Sequence, residues 1–290
     1  MKRIMITGGN GKMGRCIAEG LRKAGYDVLS TSRTPNEELG IVKLDLRDRD
    51  ACMAMVKDVD TIIHMAYYLR NDKFREEHIN TNMIGTWNIY EAAAKNNVKR
   101  VIFGSSNHVM GFYLQDDVLR DDIMPRPDST YALSKCFCEL CGRYISDRCG
   151  LSVINVRIGT FSHRGKDGLP YSRRRCRTWL SYRDTQQLFQ KCVEADESIR
   201  FLTIYGTSAN TDGFYDISGL KELIGYEPVD NGMDHLEAAL KADVHNGIDN
   251  YEFLAGESFL RDPWTGEIVP ADLEELRNRH VFNREGKKAR

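Results

Sequence analysis

Short apolar runs alternate with stretches of helical periodicity from the N-terminus as far as Ile204. Arg3-Ile4-Met5-Ile6 reads as a first strand. Ile17, Leu21 and Ala24 mark the inner face of the helix that follows, which Gly25 closes. Further strands are expected over 26–31, 40–44, 61–66, 100–104, 151–158 and 199–204. Between them the periodicity predicts helices over 51–57, through Trp87, Tyr90 and Ala93, onward from Tyr131, and over 184–194. The strands are near-continuous in apolar residues, as strands covered on both faces are. This alternation predicts an α/β fold, a doubly wound parallel sheet of Rossmann type. After Tyr205 the pattern turns irregular, as in Leu223-Ile224-Gly225-Tyr226-Glu227-Pro228, and predicts a small C-terminal cap.

A chain of 290 residues is long enough for one large core. Lys+Arg number 41 and Asp+Glu 42, so there is no basic footprint for nucleic acid. No apolar run approaches the roughly 18 residues that suggest a membrane span. Neither nucleic acid nor membrane is therefore expected as a partner. Met1-Lys2-Arg3 leads into a short apolar run and then glycines, which reads as a strand and not as a signal peptide. Eight cysteines without a secretory signal point to reduced thiols and a cytoplasmic protein. Cys136, Cys138, Cys141 and Cys149 fall on one predicted helix, and the Cys138–Cys141 gap suits a pair of ligands. No second cluster or histidine pair follows at zinc spacing, so no metal is expected. Such cysteines read as small buried hydrophobes.

Candidate chemistry sits at the ends of the strands. Gly8, Gly11 and Gly14 are spaced three apart between the first strand and its helix, with Asn10, Lys12 and Met13 in the same turn. Glycines there let backbone approach a pyrophosphate, whose charge sits at the helix N-terminus. The second strand ends at Ser32-Arg33, where an NAD site usually carries an acid for the ribose hydroxyls. An arginine can take a 2′-phosphate instead, so the cofactor is NAD(P) with a lean to NADP. Asp45 and Leu46 end the third strand and are placed to flank adenine. Ligands of open parallel sheets bind beyond the strand carboxyl ends. That rule draws in Met65 and Ala66, the polar run Ser105-Ser106-Asn107-His108, and Ile158.

Tyr131 and Lys135 lie one helical turn apart, behind a capping residue at Asp128 or Ser129. An ammonium near a phenol favours the phenolate and makes a usable base of it. His163–Lys166 and Arg173-Arg174-Arg175 bracket a charged loop on the same side of the sheet. Arginine suits a carboxylate because its planar fork donates two parallel hydrogen bonds. We expect one domain over 1–290. Within it, 1–158 with 181–205 form the dinucleotide-binding core, 159–180 with 206–277 the substrate-binding region, and 278–290 a polar, frayed tail.

Gly8-x-x-Gly11-x-x-Gly14, Asp45, Asn82, Ser106 and Tyr131-x-x-x-Lys135 together resemble the extended short-chain dehydrogenase/reductase superfamily. Ser105–His108, Gly111-Phe112-Tyr113, Asn155–Gly159, Thr178–Ser181 and Tyr205–Thr211 resemble its uronate dehydrogenase family more closely. That resemblance implies oxidation of C1 of a cyclic hexuronate to an aldarolactone by hydride transfer to the nicotinamide. It implies that Tyr131 takes the hydroxyl proton, Lys135 lowers its pKa and holds the ribose, and Ser106 binds the reacting oxygen. It further implies that Asn107 and His108 contact sugar hydroxyls, Arg174 grips the carboxylate, and Asn82 belongs to the cofactor site. A homo-oligomer is implied as well. Three features depart from the family: Ser32 in place of an acid, the bulky run Ala66-Tyr67-Tyr68-Leu69-Arg70 where a serine is usual, and a longer arginine loop. A C6-sulfonated sugar is therefore an alternative substrate. A nucleotide-sugar epimerase or dehydratase would use the same Tyr131, Lys135 and Ser106. A non-catalytic cofactor sensor usually lacks the tyrosine or the lysine, and both are present.

Overall fold

Strand β1 (Arg3–Thr7) is the point at which the sheet reverses its winding. The computed structural model describes residues 2–70, 73–113, 115, 117–161, 170, 172–242, 260–261 and 268–269. β2 (Asp27–Ser32) and β3 (Ile41–Lys43) lie on one side of β1. β4 (Thr61–His64), β5 (Arg100–Ser106), β6 (Ser152–Ile158) and β7 (Phe201–Gly206) lie on the other. All seven strands are parallel, in the order β3-β2-β1-β4-β5-β6-β7.

Two helical layers explain why the strands are apolar throughout. Ile4 and Ile6 face α1 (Lys12–Lys23) and α6 (Tyr182–Glu194), while Met5 between them faces the opposite layer. That layer is α2 (Arg49–Met55), α3 (Gly85–Lys95) and α4 (Thr130–Cys149). Ile63 and Ile62, and Ile102 and Val101, divide between the layers in the same way, as the period of two requires.

Local chemistry moves several expected boundaries. α2 begins at Arg49, ahead of Ala51, because the Asp48 side chain accepts from the Ala51 amide at 2.9 Å. Ser129, and not Asp128, caps α4, accepting from the Ala132 amide at 3.2 Å. β4 stops at His64, so Met65 and Ala66 are already outside the strand. Residues Phe74–Ile84 form a π-helix leading into α3. There the Asn80 amide donates to the Arg75 and Glu76 carbonyls, competing with ordinary backbone turns. The charged segment after β6 contains a short helix, α5 (Arg173–Arg177). The segment after β7 contains α7 (Leu220–Ile224) and α8 (Leu236–Ala242), and α5 packs on α8 and on the 3₁₀ turn Gly232–His235. The proposed tail 278–290 lies outside the described residues. Among the described residues no helix is long and apolar enough to cross a membrane.

A buried ion pair fixes α4 on the sheet. Arg157 on β6 donates to both oxygens of Glu139 at 3.1 and 2.9 Å. Ser105, the register partner of Arg157 on β5, donates to the same carboxylate at 2.5 Å. The two charged side chains are 4% and 8% exposed, so neither charge is relieved by solvent. Glu139 stands one turn beyond Lys135, and the pair therefore sets the rotation of the helix that carries the candidate catalytic residues. Glu139→Ala should cost about 3–5 kcal/mol in urea unfolding, because it strands a buried guanidinium. Adding Arg157→Met should recover part of that loss, and a double variant no more stable than the single would contradict the pairing.

Candidate active site

The site begins where β1 and β4 end side by side. Gly8 has φ +73°, and a Cβ there would come within 2.8–2.9 Å of the Met65–Ala66 backbone. A Cβ on Gly14 would run into the Gly8 carbonyl, so the turn can lie flat only without side chains. The Thr7 hydroxyl accepts from the Met65 and Ala66 amides at 3.1 and 3.0 Å. Its own proton is therefore directed at His64 Nδ1, 2.7 Å away, and His64 Nε2 donates to Thr86 Oγ1 at 3.0 Å. Burial pushes the His64 pKa down to about 3, so this ring is neutral. Above this junction opens a cavity of about 1010 Å³. Gly8, Asn10 and Gly11, and Lys12, Met13 and Gly14 of the opening turn of α1, line its floor. A shelf stripped of Cβ atoms at a helix N-terminus fits the pyrophosphate of a nicotinamide dinucleotide.

One end of the cavity lies over β2 and β3. Ser32, Arg33, Asp45 and Leu46 all line it. Arg47 donates to Asp45 at 2.5–3.2 Å and holds that carboxyl below its ordinary pKa. Arg33 is ion-paired rather than presented alone: its guanidinium is 3.6 Å from Glu77 of the π-helix. Thr81 donates to the other oxygen of Glu77 at 2.7 Å. Sequence periodicity gave no reason to turn Glu77 toward the cavity.

The other end lies over β5 and β6. Ser106 ends β5, caps the turn Asn107–Met110 and is hydrogen-bonded to Tyr131. Burial raises the Tyr131 pKa to about 12, with Asp128 adding to the rise and Ser106 opposing it. His108 Nδ1 lies 2.7 Å from Asp128, and its ring stands edge-on to Tyr131. Asn107 is buried, its Oδ1 accepting from Ser106 at 3.4 Å and its side chain hydrogen-bonded to Tyr215. Ile158, Met65 and Ala66 complete the wall between the two ends. Arg174 is 6% exposed and lines the cavity beside Arg175. Its carbonyl accepts from Thr178, whose own carbonyl accepts from Thr160 just beyond β6.

Lys135 departs from the arrangement read from helical spacing. Its Nζ donates to the Gly104 carbonyl at 2.5 Å and lies 3.2 Å from the centre of the Tyr67 ring. The Tyr131 ring is farther, at 5.7 Å. Neither a carbonyl nor a π-face carries a full negative charge, so burial prevails and lowers the Lys135 pKa to about 7. Tyr67 also donates to Ser134 Oγ at 3.2 Å and meets Tyr131 edge-on at 5.7 Å. It belongs to the run in which a serine was expected, a visible irregularity whose direction only the fold reveals. Asn82 is the one proposed site residue that does not border the cavity. Its amide is spent on the Tyr68 backbone, accepting at 2.8 Å and donating at 3.0 Å, so it positions the Tyr67–Tyr68 loop.

A model of the NAD dependent epimerase/dehydratase family matches residues 4–180. Uronate dehydrogenase of Pseudomonas putida is 34% identical over 83% of this chain and 88% of its own length. L-arabinose 1-dehydrogenase (NAD(P)(+)) of Haloferax volcanii is 33% identical over 82% of this chain and 100% of its own. The crystal structure of a mutant uronate dehydrogenase from Agrobacterium tumefaciens complexed with NAD superposes with a TM-score of 0.81 and 31% identity. It covers 92% of this chain and 100% of that one.

Removing the ring above Lys135 should be felt in stability. Tyr67→Leu is expected to cost about 2 kcal/mol in denaturant unfolding at neutral pH, and Tyr67→Phe less than about 1 kcal/mol, since only the hydroxyl contacts go. Equal losses in the two variants would remove the cation–π contact from the account.

Proposed function

The chain belongs to the NAD dependent epimerase/dehydratase family, and on that premise we propose that it oxidises the C1 hydroxyl of an acidic cyclic sugar, a hexuronate, to the aldarolactone. It is an NAD-dependent dehydrogenase acting on a CH–OH group. One observation carries the sugar reading: Tyr131, Ser106 and Asn107 line the same cavity as the buried Arg174. The bound nicotinamide supplies the hydride acceptor. Ser106 orients the C1 oxygen, and Tyr131 takes its proton. Lys135, as an ammonium, holds the ribose. Asn107 Nδ2 and His108 meet ring hydroxyls, and Arg174 binds the C6 carboxylate through its fork. Segments 159–180 and 206–277 serve as the substrate side, residues 162–169, 171, 243–259, 262–267 and 270–277 lying outside the described ones, and free thiols, six of them buried, suit the cytoplasm.

Substrate profiling tests this reading. Reduced nicotinamide should appear with glucuronate or galacturonate, and much more slowly with glucose. Arg174→Met should raise KM for the uronates about tenfold to a hundredfold, the worth of a charge-assisted hydrogen bond. A C6-sulfonated glucose turned over faster than either uronate would transfer the assignment to the sulfonate. Activity only with a nucleotide sugar would end the aldose reading.

The acid–base roles carry a pH signature. Turnover needs Tyr131 as phenolate and Lys135 as ammonium. Below about 7 Lys135 is charged, and the phenolate fraction grows with pH, so kcat/KM should climb. Above about 7 the loss of ammonium offsets the gain in phenolate, and the profile should level. In Lys135→Met the break near neutrality should vanish and the climb continue to alkaline pH. A break that persists in that variant belongs to another group.

A homo-oligomer is also proposed. Leu133, Phe137, Leu140 and Tyr144 are exposed along one face of α4 among the described residues. Light scattering should return a multiple of 33.2 kDa, and a monomer would refute it.

A further inference from the structure

We propose that Glu77 sets the dinucleotide preference of this chain, doing from the π-helix what an acid at the end of β2 would otherwise do. The inference rests on the reading that the cavity holds a nicotinamide dinucleotide. Ser32 ends β2 without a charge, and Arg33 beside it would by itself invite a 2′-phosphate. Arg33 is not by itself. The Glu77 carboxylate stands 3.6 Å from its guanidinium and borders the same wall of the cavity. Glu77 is 17% exposed at its side chain, and Thr81 holds it from the other side at 2.7 Å. Its carboxylate is thus fixed in place, unlike that of a freely rotating surface acid. The neighbouring pair is balanced too, since Arg47 is bound to Asp45. The wall therefore carries Arg33 with Glu77 and Asp45, the last bound by Arg47, and has no net positive charge to receive a phosphate dianion. A ribose hydroxyl, by contrast, is a donor that a fixed carboxylate accepts. NAD is the cofactor such a wall favours, and the preference read from Ser32-Arg33 alone gives way to the acid that sequence spacing did not bring there.

Titration calorimetry of the sugar-free protein with NAD and with NADP tests this without any turnover. The parent should bind NAD about tenfold or more tightly than NADP, as one misplaced charge contact would produce. Glu77→Gln should tighten NADP and weaken NAD, narrowing or reversing the ratio, and Glu77→Asp should keep the parent's direction. Arg33→Ala in the Glu77→Gln background should weaken NADP alone. Equal shifts of both affinities in Glu77→Gln would mean a structural role and overturn the proposal, as would a parent that binds NADP as tightly as NAD. Because no sugar is present, a wrong sugar assignment leaves these ratios untouched. Failure to bind either dinucleotide would instead refute the premise itself.

Discussion

The close approach of the Gly8 turn to the backbone leaving β4 is the constraint on which the rest of the site is built. It is steric first: there is no room for a Cβ at Gly8 or Gly14. It is then polar, because the amides of Met65 and Ala66 lose water as they bury. Thr7 satisfies both and donates its own hydrogen bond to a neutral His64. An unpaired buried amide would cost about 1–3 kcal/mol, so this one hydroxyl is worth more than its size suggests. With β1 and β4 locked, both ends of the cavity are set by register. Thr7 pairs with Thr31, which delivers Ser32 and Arg33 to one side. His64 pairs with Phe103, which delivers Gly104 and its carbonyl to the other, within reach of Lys135.

Around that frame the buried ionisable groups are handled in different ways, and the differences follow from what faces each one. Arg157 has a whole carboxylate and stays charged, at the cost of desolvating both partners. His64 has only hydroxyl partners and stays neutral. Lys135 lies between these cases. A carbonyl and an aromatic face stabilise an ammonium only in part, which leaves its pKa near neutrality.

Much of this was legible in the chain. The glycine spacing, the two-sided apolar strands and the Tyr131–Lys135 turn are local, periodic signals, and the sheet and cavity floor follow from them. What was hidden depends on contacts between distant segments. Tyr67 was visible as a bulky departure, but nothing in its neighbours told that its ring would cover Lys135. Asn82 does not border this cavity because its amide is taken up by the Tyr68 backbone, a contact that spacing does not encode. Glu77 was masked by a π-helix, whose wider turns shift each side chain off the face that helical spacing assigns. The arginine cluster announced itself, yet its members separate only on folding. α5 leaves Arg173 56% exposed, while Arg174 is buried and Arg177 is consumed by Gln115 and Asp212.

That separation bears on how a substrate is chosen. The two curated relatives are named for sugars that differ in one respect that matters here, since uronate carries an acid and arabinose does not. Chemistry at C1 cannot distinguish them, so discrimination has to come from the far side of the sugar ring. A guanidinium taken out of water costs several kcal/mol unless an anion or full hydrogen bonding restores the loss. On the proposed reading an acidic sugar adds a full charge and two acceptors at the Arg174 fork, which a neutral sugar does not. The energetic contrast lies in the arginine and not in the tyrosine. Under the proposed assignment Tyr131, Ser106 and Lys135 would bear on the reaction, while Arg174 of α5, held to the end of β6 through Thr178 and Thr160, would bear on its substrate.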